Sequence, residues 1–105
     1  MTEIILSADG DSIVYSVSDE VVNNLRKYCL QFCNKWIWND PCAEKYRHKD
    51  EDGEMYVAYC EADFIEYLNE FIFPEQPSVF VKNLGWTEFG RKLPAEYKNH
   101  PCFHF

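Results

Sequence analysis

Residues 2–17, TEIILSADGDSIVYSV, decide the architecture. Two runs rich in β-branched residues flank Asp9-Gly10, a pair that supplies positive φ at both central positions of a type I′ turn. A hairpin folded about that turn sets Leu6 opposite Ile13 and Ile4 opposite Tyr15. Ala8 and Val17 extend the same apolar face. Glu3, Ser7, Ser12 and Ser16 mark the other, interrupted by Ile5 and Val14. The alternation predicts one side in the core and the other mostly in water. Asp9-Gly10-Asp11 also has the look of a calcium loop, but the further oxygen ligands and closing Glu of that motif are missing.

Outward from the hairpin, SDEVVNNLRKYCLQFCNKWIW (18–38) reads as a helix. Ser18 is the expected N-cap, and Asp19 and Glu20 complement the dipole in the first turn. Val21, Val22, Leu25, Tyr28, Cys29, Phe32 and Trp36 recur at helical spacing, with Cys33 at the border of the stripe. Leu30 and Ile37 lie off it, which predicts that a second element covers that flank. Asn39-Asp40-Pro41 stops the helix, because the residue before proline avoids the α region. Residues 42–53, CAEKYRHKDEDG, read as a charged loop. EMYVAYC (54–60) has the content of a strand, with Met55, Val57 and Tyr59 on one face. EADFIEYLNEFIFP (61–74) is a second helix whose expected buried stripe is Phe64, Ile65, Leu68, Phe71 and Ile72.

Prolines and glycines break the remainder into short pieces. SVFVKNLG fits a strand or a short helix, and LPAEYKNH fits one helical turn with Pro94 at its first position. The order predicts one α+β domain over residues 1–105: a small antiparallel sheet, made of the N-terminal β-hairpin plus the central strand, packed against two helices, with an irregular C-terminal tail.

Composition bounds the function. Hydrophobic residues make up 47% and charged residues 27%, which suits a folded domain. Eight Phe, seven Tyr and three Trp are more rings than so small a core can bury, so some are expected at the surface as partner contacts or in a homodimer. The net charge of −8 repels phosphate backbones and disfavours nucleic acid, but attracts a basic protein. No apolar run reaches the length of a membrane span, and no basic stretch precedes a long apolar one as a secretory leader requires. Five cysteines, odd in number and unevenly spaced, read as reduced thiols in the cytoplasm.

Several residues invite a chemical reading. His100, Cys102 and His104 alternate along the tail, and Cys29 and Cys33 share a helix face, so together they form a candidate zinc set for a metal-stabilised structural domain. Neither stretch has CxxC spacing, and the two helical thiols lie on or beside an apolar stripe where Cys acts as a small hydrophobe. The simpler expectation is a tail that docks Phe103 and Phe105 on the flank near Leu30 and Ile37, with no metal and no cofactor. A small thiol-dependent enzyme would use Cys42, Cys60 or a histidine such as His48. No nucleophile turn and no glycine-rich phosphate loop accompanies them, so the chain reads as a binding module rather than an enzyme.

The strongest signal is acidic. From Asp50 to Val81 there are nine acids and no Lys or Arg. On the second helix Asp63, Glu66 and Glu70 fall on one face with Tyr67 beside them, and Glu54 and Tyr56 are expected as neighbours. Like charges at this spacing repel, and no lysine of the same helix relieves them. A solvated face accounts for the pattern, as does an acidic, tyrosine-bearing patch for a basic partner, with Tyr67 as its anchor.

Four stretches, DGDSIVYSV (9–17), LRKYCLQFCNKWIW (25–38), DFIEYLNEFIFPEQPSVFVKNLGW (63–86) and PCFHF (101–105), together resemble short uncharacterised cytoplasmic proteins of Gram-positive bacteria. No activity attaches to that family, so the resemblance implies no functional residue. In format the chain also resembles bacterial immunity proteins, which are small, acidic and cytoplasmic and bind basic toxin domains. The resulting expectation is an acidic protein-binding module, of inhibitor or immunity type.

Overall fold

The computed structural model describes residues 1–8, 10–88 and 90–105. The first strands, β1 (Thr2–Ser7) and β2 (Ser12–Val17), pair antiparallel with Leu6 opposite Ile13 and Ile4 opposite Tyr15, the register expected. The type I′ turn expected at Asp9-Gly10 includes Asp9, which lies outside the described residues. Ile4, Leu6, Ile13, Tyr15 and Val17 enter the main core.

The opposite face of the hairpin is not mostly in water, as alternation had implied. Ile5 and Val14 are buried there with Leu93 and Tyr97, and Leu84 packs alongside. Ser12 and Thr87 share a buried hydroxyl hydrogen bond of 2.6 Å. Residues 90–97 fold back across this face and end in a 3-10 helix, Ala95–Tyr97, with Pro94 as its N-cap. The two aliphatic residues that interrupted the polar face are what that segment covers.

The class is α+β, but the sheet is built differently from the expectation. Its order is β5-β2-β1-β6, with β5 spanning Val79–Gly85 and β6 spanning Cys102–His104. Both outer strands come from the C-terminal third: SVFVKNLG takes the strand of its two expected forms, and the tail expected to be irregular supplies β6. β5 is antiparallel to β2, whereas β6 runs parallel to β1 with Leu6 opposite Phe103. Both edges of the hairpin are thereby taken. The central strand joins neither: β4 (Met55–Val57) pairs with β3 (Arg47–Lys49) in a separate two-stranded sheet. Residues 42–53 are correspondingly ordered by pairing rather than left as loop. Asp40 caps a 3-10 helix over Pro41–Tyr46 by accepting from the Cys42 amide at 2.8 Å. The turn between β3 and β4 closes with Gly53 at φ +81°, which favours glycine there.

Ser18 caps the first helix as expected, accepting from the Val21 amide. Asn24, at φ −132°, separates α1 (Asp19–Asn23) from α2 (Leu25–Gln31), and a π-helical turn over Phe32–Trp36 leads into α3 (Ile37–Asn39). Asp40 is extended, ending the helix before Pro41. The second helix has the same design: α4 (Glu61–Tyr67) runs into a π turn over Leu68–Ile72, where the Phe73 amide donates to the Leu68 carbonyl at 2.7 Å.

Each π turn holds one extra residue, so everything downstream is rotated back by about 100° relative to an α-helix. Ile37 therefore takes the angular place that Trp36 would have had, and it is fully buried. Likewise Ile72 and Phe73 pack against the core while Phe71, expected in the stripe, is 44% exposed. No helix among the described residues is long and apolar enough to cross a membrane.

Candidate functional site

The face of α4 that the sequence marked as acidic divides into inward and outward groups. Asp63 is committed to the fold. Its Oδ2 accepts from the Cys60 amide at 2.8 Å, completing a capping box, and its Oδ1 accepts from the Tyr46 hydroxyl at 3.4 Å. Burial pushes the Tyr46 phenol up, and the Asp63 charge adds to it. Glu66 and Glu70 remain exposed. A lysine does relieve Glu66, though not one of its own helix: Lys45 Nζ stands 3.8 Å away, on the neighbouring 3-10 helix. With both side chains well exposed, that pair is screened by solvent and easily exchanged.

Tyr67 is in the core, 5% exposed, rather than on the acidic surface. Its ring centroid lies 4.9 Å from Trp36 and 5.3 Å from Phe32. Burial pushes its phenol up, with Asp40 reinforcing the shift. The ring that this face does present is Phe71, resting on Trp36 at 5.2 Å and beside Tyr67 at 6.5 Å. A shallow cleft opens next to this cluster, lined by Gln31, Lys35, Trp36, Asp40, Pro41 and Tyr67. The apolar triplet Phe71-Ile72-Phe73 was the available signal, since three consecutive residues cannot all face one core from a helix.

Glu54 and Tyr56 stand on the separate β3–β4 hairpin. Tyr56 is 47% exposed and leans on His48, centroids 5.4 Å apart. The Glu54 amide donates to Asp50 Oδ1 at 2.9 Å. The hairpin joins the 3-10 helix through the Ala58 amide, which donates to the Tyr46 carbonyl. Glu66 and Lys45 thus come together beside Asp63, whereas Glu54 and Tyr56 stand on a different element, where they meet Asp50 and His48.

The residues weighed for metal and thiol chemistry are dispersed. Cys29 is fully buried, Cys33 is half-buried near Asn34, and Cys102 is exposed on β6. His100 packs on Tyr97 with centroids 4.9 Å apart, and the His104 imidazole lies against Gly90, where a Cβ would stand 3.4 Å from Nε2. Among the described residues no group of three or more His, Cys, Asp and Glu is disposed to hold a metal ion. Desolvation pushes the thiols of Cys29, Cys33 and Cys60 upward, the opposite of the shift a thiolate nucleophile uses.

No protein-family model, curated protein or solved structure matches this chain.

Proposed function

We propose that the chain is a cytoplasmic protein-binding module that recognises a basic surface of another protein, in the manner of an inhibitor or immunity-type partner. The observation that carries the reading is Phe71, an aromatic ring 44% exposed on an otherwise charged helix face. It is backed by Trp36 and Tyr67 and adjoined by the exposed carboxylates of Glu66 and Glu70. Exposed rings on a rigid aromatic base suit a desolvated anchor, because they bring large contact area with few rotors to immobilise. The carboxylates steer and orient. With a net charge of −8 the long-range field favours a basic partner, and an incoming Arg replaces Lys45 beside Glu66 at small cost. Five free thiols accord with a reducing compartment.

Co-purification at low salt from the protein's own cells tests the proposal. A basic protein is expected on the wild type and absent from the Glu66→Lys/Glu70→Lys variant. A partner retained equally by both removes this face from the function.

A further inference from the structure

The cleft beside Trp36 and Tyr67 holds a hydroxyl that the fold does not use. Tyr67 lines it and is only 5% exposed, yet its hydroxyl makes no hydrogen bond among the described residues. A phenol so deeply seated ordinarily finds a partner, because an unmade bond is costly. Further acceptors border the same space. Asp40 Oδ1 takes the Cys42 amide at 2.8 Å, which leaves Oδ2 open. Asn39 Nδ2 donates to the Lys35 carbonyl at 2.8 Å, which leaves Oδ1 open. Both residues line the cleft, and half-buried Trp36 adds ring surface to it. At about 410 Å³ the cleft has room for one long side chain.

We infer that this cleft seats an arginine side chain of the partner, its guanidinium donating to Asp40 Oδ2, Tyr67 Oη and Asn39 Oδ1 and lying against Trp36. The inference rests on the reading of the chain as a binder of a basic protein, and it names the group recognised. A guanidinium has five donors and no acceptor on one plane, which suits a lining of acceptors beside an aromatic ring. An ammonium has no plane to lay on the ring, and a carboxylate would meet Asp40 and two more acceptor oxygens. Lys35 is the one cation on the lining. It is exposed and has no carboxylate partner among the described residues, and its flexible stem can swing clear. Its charge still opposes a cationic occupant, which supplies a signature: removing Lys35 tightens a guanidinium and loosens an anion.

Titration of the isotope-labelled full chain with N-acetyl-arginine amide, followed by NMR at low salt, tests the inference. Saturable shifts are expected at the Trp36 indole N–H and the Asn39 side-chain amide, with a Kd on the order of millimolar for a single side chain. N-acetyl-lysine amide is expected to bind more weakly. Tyr67→Phe and Asp40→Asn should each weaken the arginine probe about threefold or more, and Lys35→Ala should tighten it. Tyr67→Phe should leave the unfolding midpoint unchanged, because the lost hydroxyl bonds nothing in the fold, and Asn at position 40 still caps the 3-10 helix. No response at Trp36 and Asn39 overturns the inference. So does equal binding of the lysine probe, binding indifferent to both Tyr67→Phe and Asp40→Asn, or weaker binding by Lys35→Ala. The two readings fail separately. A chain that ignores the arginine probe but still captures a basic protein loses only the arginine seat, and one that binds the probe but captures no basic protein loses only the proposed function.

Discussion

Tyr15 shows how a single residue carries both packing and charge. It lies on the core face of β2 with its ring edge-on to Phe80 at 6.0 Å. Burial pushes its phenol up to about 12, with Glu61, Cys60 and Asp63 adding to the shift. The unfolded chain therefore loses the Tyr15 proton first as pH rises. Its contribution is whole below the ordinary phenol value near 10 and is lost progressively as pH climbs toward 12. Denaturant titrations across that window should show stability falling by on the order of 2 kcal/mol from this group, and Tyr15→Phe should flatten that part of the limb. Asp63 gives a complementary test. As a capping residue, its replacement by Ala should cost about 1 kcal/mol of stability, read by chemical denaturation, while leaving partner association close to wild type. The Ser18 cap was legible in the sequence because its signal is local. The inward turn of Asp63 was only half legible: its bond to the Cys60 amide is local, but the one from Tyr46 comes from seventeen residues away.

At the scale of elements, the paired π turns decide which aromatic residues are core and which are surface. Helical periodicity read from Val21 to Phe32 and from Phe64 to Leu68 agrees with the buried residues. It fails beyond each π turn by one residue, which is why Ile37 and Phe71 were misplaced; Tyr67 precedes its π turn, and was read as surface because the acids around it drew it to the charged face. The two turns contact each other through Trp36 and Phe71. Their extra residue is thus stabilised by tertiary aromatic packing, for which a single helix carries no marker. Tyr67→Ala should destabilise by about 3–5 kcal/mol, as for other large core rings. Phe71→Ala should cost no more than about 1 kcal/mol, since much of that ring is already in water. Thermal or denaturant unfolding distinguishes this pattern from equal losses at the two positions, which a continuous α-helix would give by setting Tyr67 and Phe71 on one face.

At the scale of the whole molecule, both faces of one hairpin are buried by segments distant in sequence. The helices cover one side, and Leu93 and Tyr97 cover the other. Short strands with non-local partners leave little trace in a linear pattern, which is how the tail came to be read as irregular. That it packs on the core was legible, but not where: Phe105 lies among Phe32, Tyr59 and Phe64 at 5.4–6.1 Å rather than on the expected flank of Leu30 and Ile37. Phe105→Ala should lower stability by about 2–3 kcal/mol in denaturant titration, less than a wholly buried ring because Phe105 is half-buried. The acidic α4 face and the apolar residues of β5 lie on different elements of this scaffold.

Native mass spectrometry of the untagged protein, purified from its own cells and sprayed at low and high ionic strength, tests the central claim most directly. The predicted result is a complex with a basic protein that weakens as salt rises and is reduced for Phe71→Ala. A complex indifferent to both salt and Phe71→Ala would contradict an acidic, aromatic-anchored interface.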